Sequence, residues 1–294
     1  MVNNNFKKIN MKYFSSGLIV VAAFLIGSCA SQKSGSKLTE LGAIDKEGYV
    51  NLYNGKDMNN WNIMCRDKTD GLAAQVFTAG ENGEMHVFKD FPDEYGFVDN
   101  KSGTHCMFFT NESYSRYSFK FEYKWGEKKY NNFNQFQYDA GLYFHVFDVA
   151  IWPKGIEYQV RYDHTKNENH TGCIWNSGAE FDWNADNTNE DVKQRTYLAP
   201  EEGGAPQEHR GGEHKVHKDA PFHGLDGQWN ECEVIVMGNK YAVYKLNGKV
   251  VNVITNLSHS EGPIGLQAET AEVFYKNIKI KEFNEDIPIE KFLK

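Results

Sequence analysis

The stretch from Tyr117 to Trp125 alternates aromatic with polar residues, reading Tyr-Ser-Phe-Lys-Phe-Glu-Tyr-Lys-Trp. An extended chain points successive side chains to opposite faces, so this two-residue period is typical of a β-strand with one buried and one solvated face. The pattern returns at 156–163, 231–237 and 272–283, whereas no long window shows the 3.6-residue period of a helix. The chain is therefore predicted to be all-β.

Turn residues and one long interruption organise these strands. Asn247-Gly248 between two apolar runs is a strong signal for a two-residue hairpin, and Gly238-Asn239 is another. From Asn176 to Gly224, the chain is poor in aliphatic side chains and rich in acids, glycine and histidine. Loops of this length are usually functional or mobile. Because aromatic-rich strands flank it, we expect a long loop at 176–224 within a single β-sandwich domain.

The charge balance limits the choice of partners. The 294 residues carry a net charge of −8, and residues 1–28 contain three lysines and no acid, so the rest of the chain is more acidic still. Nucleic-acid binding relies on clustered positive charge, and no nucleic-acid partner is expected.

The N-terminal segment has the layout of a secretory signal peptide. Three lysines precede an apolar run at 17–26, and a polar stretch of small residues follows Cys29. A single transmembrane anchor is the alternative, but the apolar run is short for crossing a bilayer.

Residues 26–29, Ile-Gly-Ser-Cys, resemble the lipobox of bacterial lipoproteins, in which the cysteine carries diacylglycerol. The resemblance implies a leader at 1–28, a lipidated Cys29 and a polar tether over 29–47. It also implies a lipid-anchored protein of the cell envelope, on the outer membrane and facing the periplasm.

Four cysteines remain beyond the predicted leader, at positions 65, 106, 173 and 232. None lies in a CxxC pair or near a histidine at zinc-finger spacing, so a metal finger is not favoured. Disulfides and buried free thiols are both compatible with an exported protein of this length.

Polar side chains share one face of the strand predicted at 156–163. Alternation places Glu157, Gln159, Arg161 and Asp163 together. A row of donors and acceptors suits the hydroxyl groups of a sugar. A plain solvated outer face would show the same pattern.

Two further predicted strands carry polar residues that could join this row. Along 139–146, alternation places Asp139, Gly141, Tyr143 and His145 on one face, and the strand from Ile264 places Gln267 and Glu269 opposite its apolar residues. If the three strands share a sheet, carboxylates, amides and a histidine converge.

Carboxylates near a histidine could act as a general acid and base or as ligands of a divalent cation. The sequence leaves both open. His164 and His170 follow the strand of Glu157 closely and could reach the same site.

The order of motifs resembles the 3-keto-disaccharide hydrolase family, first described as a domain of unknown function. Residues 51–61, NLYNGKDMNNW, resemble its opening LFNGKDLxGW. The later motifs occur in the family's order. DAGL (139–142) resembles NSGI, GIEYQ (155–159) resembles GxExQ, and TGCIW (171–175) resembles TGAIY. GQWN (227–230) resembles GxWN, NG (247–248) is the same in both, and GPIGLQAE…VFYKNI (262–278) resembles GxIGLQxE…FRNI.

The resemblance implies a concanavalin-A-like jelly-roll domain over 48–284, followed by a tail at 285–294. It also implies cleavage of glycosides whose C3 hydroxyl is oxidised to a ketone, by elimination and hydration, with or without a divalent metal cation. The chain departs from the family where Asp139 replaces Asn, where His145 replaces an Arg, where Glu269 replaces a His found in some members, and in its long loop.

The motifs, together with the strand pattern described above, suggest roles for individual residues. The catalytic candidates are Glu157, His145 and Glu269. The sugar-binding candidates are Gln159, Asp139, Arg161, Gln267 and Trp175, the last by stacking on the ring. The metal-ligand candidates are Glu157, His145, His164 and His170.

Two other functions fit the same fold. An ordinary retaining glycosidase needs two carboxylates roughly 5 Å apart, and the ExDxxE strand of jelly-roll glucanases is missing from this sequence. A non-catalytic carbohydrate-binding lipoprotein would bind glycans without releasing new reducing ends.

Overall fold

The computed structural model describes residues 42–65, 73–92, 104–130 and 136–294, so the predicted leader and residues 29–41 of the predicted tether lie outside it. The strands are β1 Val50–Asn51, β2 Trp61–Cys65, β3 Phe77–Ala79, β4 Met85–Val87, β5 Cys106–Tyr114, β6 Arg116–Lys129, β7 Tyr138–Asp148, β8 Lys154–Asp163, β9 Glu168–Asn169, β10 Ile174–Ser177, β11 Asp182–Ala185, β12 Ala205–Pro206, β13 Gly212–His214, β14 Asn230–Met237, β15 Tyr241–Leu246, β16 Lys249–Thr255, β17 Gly262–Ala268 and β18 Ala271–Glu282. A short helix, α1, spans Ala73–Val76, and 3-10 turns lie at Pro200–Glu202 and Ile289–Lys291.

The strands form two antiparallel sheets. The front sheet, which carries the candidate site, has the order β13-β10-β8-β7-β17-β5-β2, with β9 paired to β8. The back sheet has the order β12-β11-β16-β15-β14-β6-β18-β4-β3, with β1 paired to β18. Neighbours distant in sequence, such as β6 between β14 and β18, show that the chain crosses repeatedly between sheets. The predicted all-β, concanavalin-A-like jelly-roll sandwich is confirmed.

Aromatic side chains fill the space between the sheets. The aromatic residues of β6 that the alternation assigned to the inner face, from Tyr117 to Trp125, are all buried. The front sheet contributes residues such as Leu142 and Tyr158, and the ring of Tyr158 stacks on that of Tyr244 with centroids 5.1 Å apart. Each such ring removes a large apolar area from water, so this layer holds the sheets together.

The stretch predicted as a long loop, 176–224, contains short strands that extend both sheets. β11 and β12 lengthen the back sheet, and β13 lengthens the front sheet. Aromatic residues provide the apolar surface that aliphatic residues supply elsewhere, and Trp183 is buried with its indole N–H donating to Asn252 Oδ1 at 2.8 Å. The prediction of a loop without strands was therefore wrong.

The cysteines divide into both of the expected kinds. Cys65 and Cys106 form a disulfide between the paired strands β2 and β5. Cys173 and Cys232 are free and buried. Within the described ranges, no helix has both the length and the apolar character needed to cross a membrane.

Candidate active site

The three strands whose polar faces were expected to converge are neighbours in the front sheet, in the order β8-β7-β17. Their register sets Asp139 opposite Arg161, Gly141 opposite Gln159, and Tyr143 opposite Glu157. Alternating residues of these strands point inward to the core, so the polar residues lie together on the outer face of the front sheet.

The side chain of Glu157 reaches across to the neighbouring strand β7 and lies over Gly141. A Cβ atom at residue 141 would stand 1.9 Å from Glu157 Oε1, so the carboxyl group needs a glycine beneath it. The side chain is 3% exposed and accepts a hydrogen bond from the Tyr143 hydroxyl. Burial raises the pKa of Glu157 well above its usual value, and the charge of Asp139 adds to the rise.

Asp139 is held by the two polar residues that follow Glu157 on its face of β8. Gln159 Nε2 donates to Asp139 Oδ1 at 2.6 Å, and Arg161 donates to Oδ2 from Nε and Nη2, both at 2.8 Å. Burial raises the pKa of Asp139, and Arg161 opposes that rise. Because N–H donors stabilise the charged form of Asp139, Asp139 is the more easily ionised of these two acids.

A third acid, Glu269, lies beside a histidine that the sequence analysis did not single out. His105 Nδ1 lies 3.7 Å from Glu269 Oε1, and His105 Nε2 lies 2.9 Å from the carbonyl oxygen of Ile151. Gln267 Nε2 is 3.2 Å from the same His105 nitrogen, and the ring of Trp152 covers the imidazole with centroids 3.7 Å apart. The charge of Glu269 contributes to the raised pKa of Glu157, so the two groups belong to one site.

His105 was missed because its place depends on a pairing between strands distant in sequence. It directly precedes β5, which pairs with β17 and so brings the imidazole to Gln267 and Glu269. No local motif marks that pairing, and a single histidine before an apolar run carries no signal by itself.

His145 does not join this group, so its predicted place on the polar face was wrong. The residue has a φ of 47°, and the pairing of β7 with β8 shifts register there. This bulge breaks the alternation and lets the buried imidazole Nε2 contact the carbonyl oxygen of Gly238, in the turn between β14 and β15 of the back sheet, at 2.9 Å.

The other two predicted histidines, His164 and His170, lie in different places. His164 packs edge-on against Tyr138, which belongs to the hydrophobic core. His164 is therefore on the other face of the sheet from Glu157. His170 instead reaches the edge of the site, where its Nδ1 lies 2.9 Å from Glu213 Oε1, and Glu213 lies 3.6 Å from Arg161.

Trp175 lies where a stacking residue was expected. The register of β10 sets it beside Glu157 of β8 on one side and Glu213 of β13 on the other. Its ring is 37% exposed and lies 5.8 Å from the Arg161 guanidinium. It presents an aromatic surface at the edge of the polar face.

The four predicted metal ligands are not gathered around one point, since His145 lies in the bulge and His164 on the core side. Among the residues that the structure describes, one group of three potential ligands has donor atoms within 4.8 Å of one another, namely His170, Cys173 and Glu213. Burial raises the pKa of the Cys173 thiol well above its usual value, and the thiol sulfur accepts the N–H of Val216 at 3.2 Å. A protonated, core-facing thiol is a poor metal ligand, so this set fits a metal ion badly.

Residues 48–281 match the family described as the 3-keto-alpha-glucoside-1,2-lyase-like domain. The chain belongs to this family. Membership supports a function in glycoside chemistry. No functionally curated protein matches it.

Several solved structures resemble this family member at low sequence identity. Two proteins from Parabacteroides distasonis, each described as a candidate glycosyl hydrolase, are 18% and 15% identical to it. The alignments cover 83% and 80% of this chain and 100% and 99% of those chains, with TM-scores of 0.48 and 0.46. A carbohydrate-binding module from Bacillus subtilis is 12% identical over 60% of this chain and 82% of its own, with a TM-score of 0.35.

Proposed function

We propose that this protein cleaves glycosides whose C3 hydroxyl has been oxidised to a ketone, by eliminating the substituent at C1. The ketone acidifies the neighbouring C2–H bond, so a base can remove that proton. The electron pair then forms a C1–C2 double bond, and the C1–O bond breaks with its electrons on the leaving oxygen. Such a site needs a base, a proton donor and groups that stabilise the enolate oxygen.

The observation that carries the proposal is a buried carboxyl group beside a histidine and carboxylate pair on one sheet face. Burial raises the pKa of Glu157 well above its usual value, which favours the protonated form that can donate a proton to the leaving oxygen. His105 Nδ1 is buried and has no hydrogen-bond partner among the described residues, and we assign it as the base that accepts the C2 proton. Glu269, 3.7 Å away, would stabilise the imidazolium that forms.

Binding groups surround these residues. Tyr143 and Gln267 offer a hydroxyl and an amide to the sugar, and the Gln267 Oε1 atom is buried without a partner in the described part of the chain. Trp152 and Trp175 are 51% and 37% exposed and can stack on sugar rings.

A retaining glycosidase mechanism fits this arrangement less well. Two other acids lie near Glu157. Both oxygens of Asp139 already accept hydrogen bonds from Gln159 and Arg161, and Glu269 lies beside His105 at 3.7 Å. A nucleophilic carboxylate must be free to attack C1. The pairing of Asp139 favours a role in holding Arg161 and Gln159 in place.

The test is product release by the purified protein from matched pairs of oxidised and unoxidised substrates, such as 3-keto-trehalose and trehalose. We expect cleavage of the keto substrate alone. Glu157→Gln should lower the rate about 100-fold or more, the usual size of a general acid or base contribution. Glu231→Gln, at an exposed position of β14, is the matched control and should leave the rate unchanged.

Each other result has a distinct meaning. Equal cleavage of trehalose would show an ordinary glycosidase, and an active Glu157→Gln variant would remove the central assignment. Saturable glycan binding with no product would show a carbohydrate-binding protein. A parallel assay with a chelator tests whether a divalent cation takes part.

A further inference from the structure

A polar cavity of about 400 Å³ lies beside the candidate active site. Trp175, Glu213 and His170 line it, and Glu213 is also the neighbour of Arg161 at 3.6 Å. Because Trp175 stands beside Glu157 in the register of the front sheet, a sugar unit stacked on Trp175 would extend from the reacting bond into this cavity. We call it the basic cavity because lysine and arginine side chains predominate among its charged lining residues.

The basic cavity gathers positive charge in a protein whose net charge is negative. Its lining contains Lys166, Lys193, Arg210 and Lys215 but only two acids, Glu168 and Glu213. In the whole sequence acids outnumber lysines and arginines by 40 to 32. The local reversal marks a surface suited to a negatively charged group.

Both acids of the cavity already have cationic partners. Glu168 Oε1 lies 2.7 Å from Lys215 Nζ, and Glu213 Oε1 lies 3.6 Å from Arg161 Nη1. Arg210 and Lys193 form no ion pair with any carboxylate of the described residues. The cavity therefore retains uncompensated positive charge.

One buried nitrogen atom of the lining also lacks a hydrogen-bond acceptor. Within the described ranges, the Nη2 atom of Arg210 is buried and makes no hydrogen bond. Buried donors left unpaired cost free energy, so the cavity is incomplete without an acceptor. The charge balance and the unpaired Arg210 nitrogen thus point independently to an anion.

We propose that the basic cavity binds an anionic substituent, a carboxylate or a sulfate ester, on a sugar unit of the substrate. Trp175 and Phe136, which both flank the Arg161 guanidinium, supply aromatic surface for that sugar ring. Arg210, with Lys193 at the cavity lining, supplies the charge-assisted hydrogen bonds. This inference rests on the proposed function only for the statement that the bound sugar belongs to a substrate.

The test is equilibrium binding of unoxidised ligands, which needs no turnover. The ligands are methyl glucuronide, glucose 6-sulfate and methyl glucoside, measured by calorimetry on the full chain. We expect at least one anionic ligand to bind about tenfold more tightly than methyl glucoside, since a hydrogen bond to a charged group contributes about that much. The preference should weaken with added salt.

Variants separate the cavity from the rest of the surface. Arg210→Gln should remove the preference, and Lys193→Gln, at an exposed position whose loss does not threaten the fold, should reduce it. Arg116→Gln, which breaks an ion pair with Asp286 elsewhere on the surface, is the matched control and should retain it. A preference for methyl glucuronide assigns a carboxylate, and a preference for glucose 6-sulfate assigns a sulfate ester.

Equal binding of the charged and neutral sugars would overturn the inference, as would a preference unchanged in both cavity variants. Inorganic sulfate that competes as well as glucose 6-sulfate would show that the cavity does not recognise the sugar. If 3-keto-glucosides are cleaved but no preference for anionic sugars exists, only this inference fails. If the preference exists without cleavage, only the proposed function fails.

Discussion

Gly141 and Glu157 form a matched pair of residues, since the absence of a side chain at one makes room for the carboxyl group of the other. Gly141→Ala would place a methyl group 1.9 Å from Glu157 Oε1, so the carboxyl group must leave its present position. We expect product release to fall about 100-fold, because displacing an acid costs as much as removing it. The fold should persist, since the displaced atoms are the end of a flexible side chain.

A matched glycine shows whether this effect is specific. Gly80→Ala would place a Cβ atom 2.6 Å from Glu84 Oε1, beside the β3–β4 pair of the back sheet. That variant also displaces a glutamate, so full activity there and low activity in Gly141→Ala is the expected result. Full activity in both would show that the position of Glu157 is unimportant.

The raised pKa of Glu157 couples the stability of the protein to pH. A carboxyl group whose pKa is higher in the folded than in the unfolded state binds more protons when folded. Its contribution to the free energy of unfolding is fully present below its unfolded pKa, near 4.5, and is lost as pH rises through the folded pKa. In the Glu157→Gln variant, residue 157 does not titrate and contributes no pH dependence to the free energy of unfolding.

We therefore expect the free energy of unfolding of the native protein to fall relative to that of Glu157→Gln as pH rises from about 5 to about 8. Urea unfolding of both proteins at several pH values measures the difference directly. Parallel stability profiles would mean that Glu157 is ionised in the folded protein and cannot rest as an acid.

At the scale of elements, the bulge in β7 decides what His145 does. Its left-handed φ of 47° is unfavourable for a β-branched residue but accessible to asparagine. We expect His145→Val to lower the free energy of unfolding by about 1–3 kcal/mol, through backbone strain and the lost contact with Gly238. His145→Asn should cost less and keep the rate of product release.

Urea unfolding and the product assay together test this structural role. A large loss of rate in a folded His145→Asn protein would return His145 to the list of catalytic residues. A stable His145→Val protein would show that the bulge carries no strain.

The same elements show what could be predicted from the sequence and what could not. The face shared by Glu157, Gln159 and Arg161 follows from alternation alone, because a regular strand leaves no other choice. The bulge at His145 depends on a backbone angle with no glycine to signal it. The position of His105 depends on the pairing of strands that are distant in sequence. Strands β11–β13 were not predicted because tryptophan and tyrosine, rather than aliphatic residues, supply their buried apolar surface.

At the scale of the whole molecule, the two sheets differ in the side chains that they present. The back sheet contributes an apolar inner face, while the outer face of the front sheet concentrates buried ionisable groups. Such groups are costly to bury, and a sheet stabilised by an aromatic core on its other face can tolerate them. The candidate active site and the basic cavity both lie on the front sheet, so one extended ligand can contact both.

We propose that the whole protein is held at a membrane of the cell envelope by lipid on Cys29, because a basic segment, an apolar run and a lipobox-like tetrapeptide occur in that order. A single acyl chain binds membranes only weakly, so stable attachment needs the additional chains of a diacylglycerol. Cys29→Ser should move the protein from the membrane pellet to the soluble fraction of fractionated cells while the rate on 3-keto substrates stays unchanged. Mass spectrometry of the native protein should show the lipid on a new N-terminal cysteine. A native protein found soluble and without lipid would contradict the anchor and leave the site chemistry unaffected.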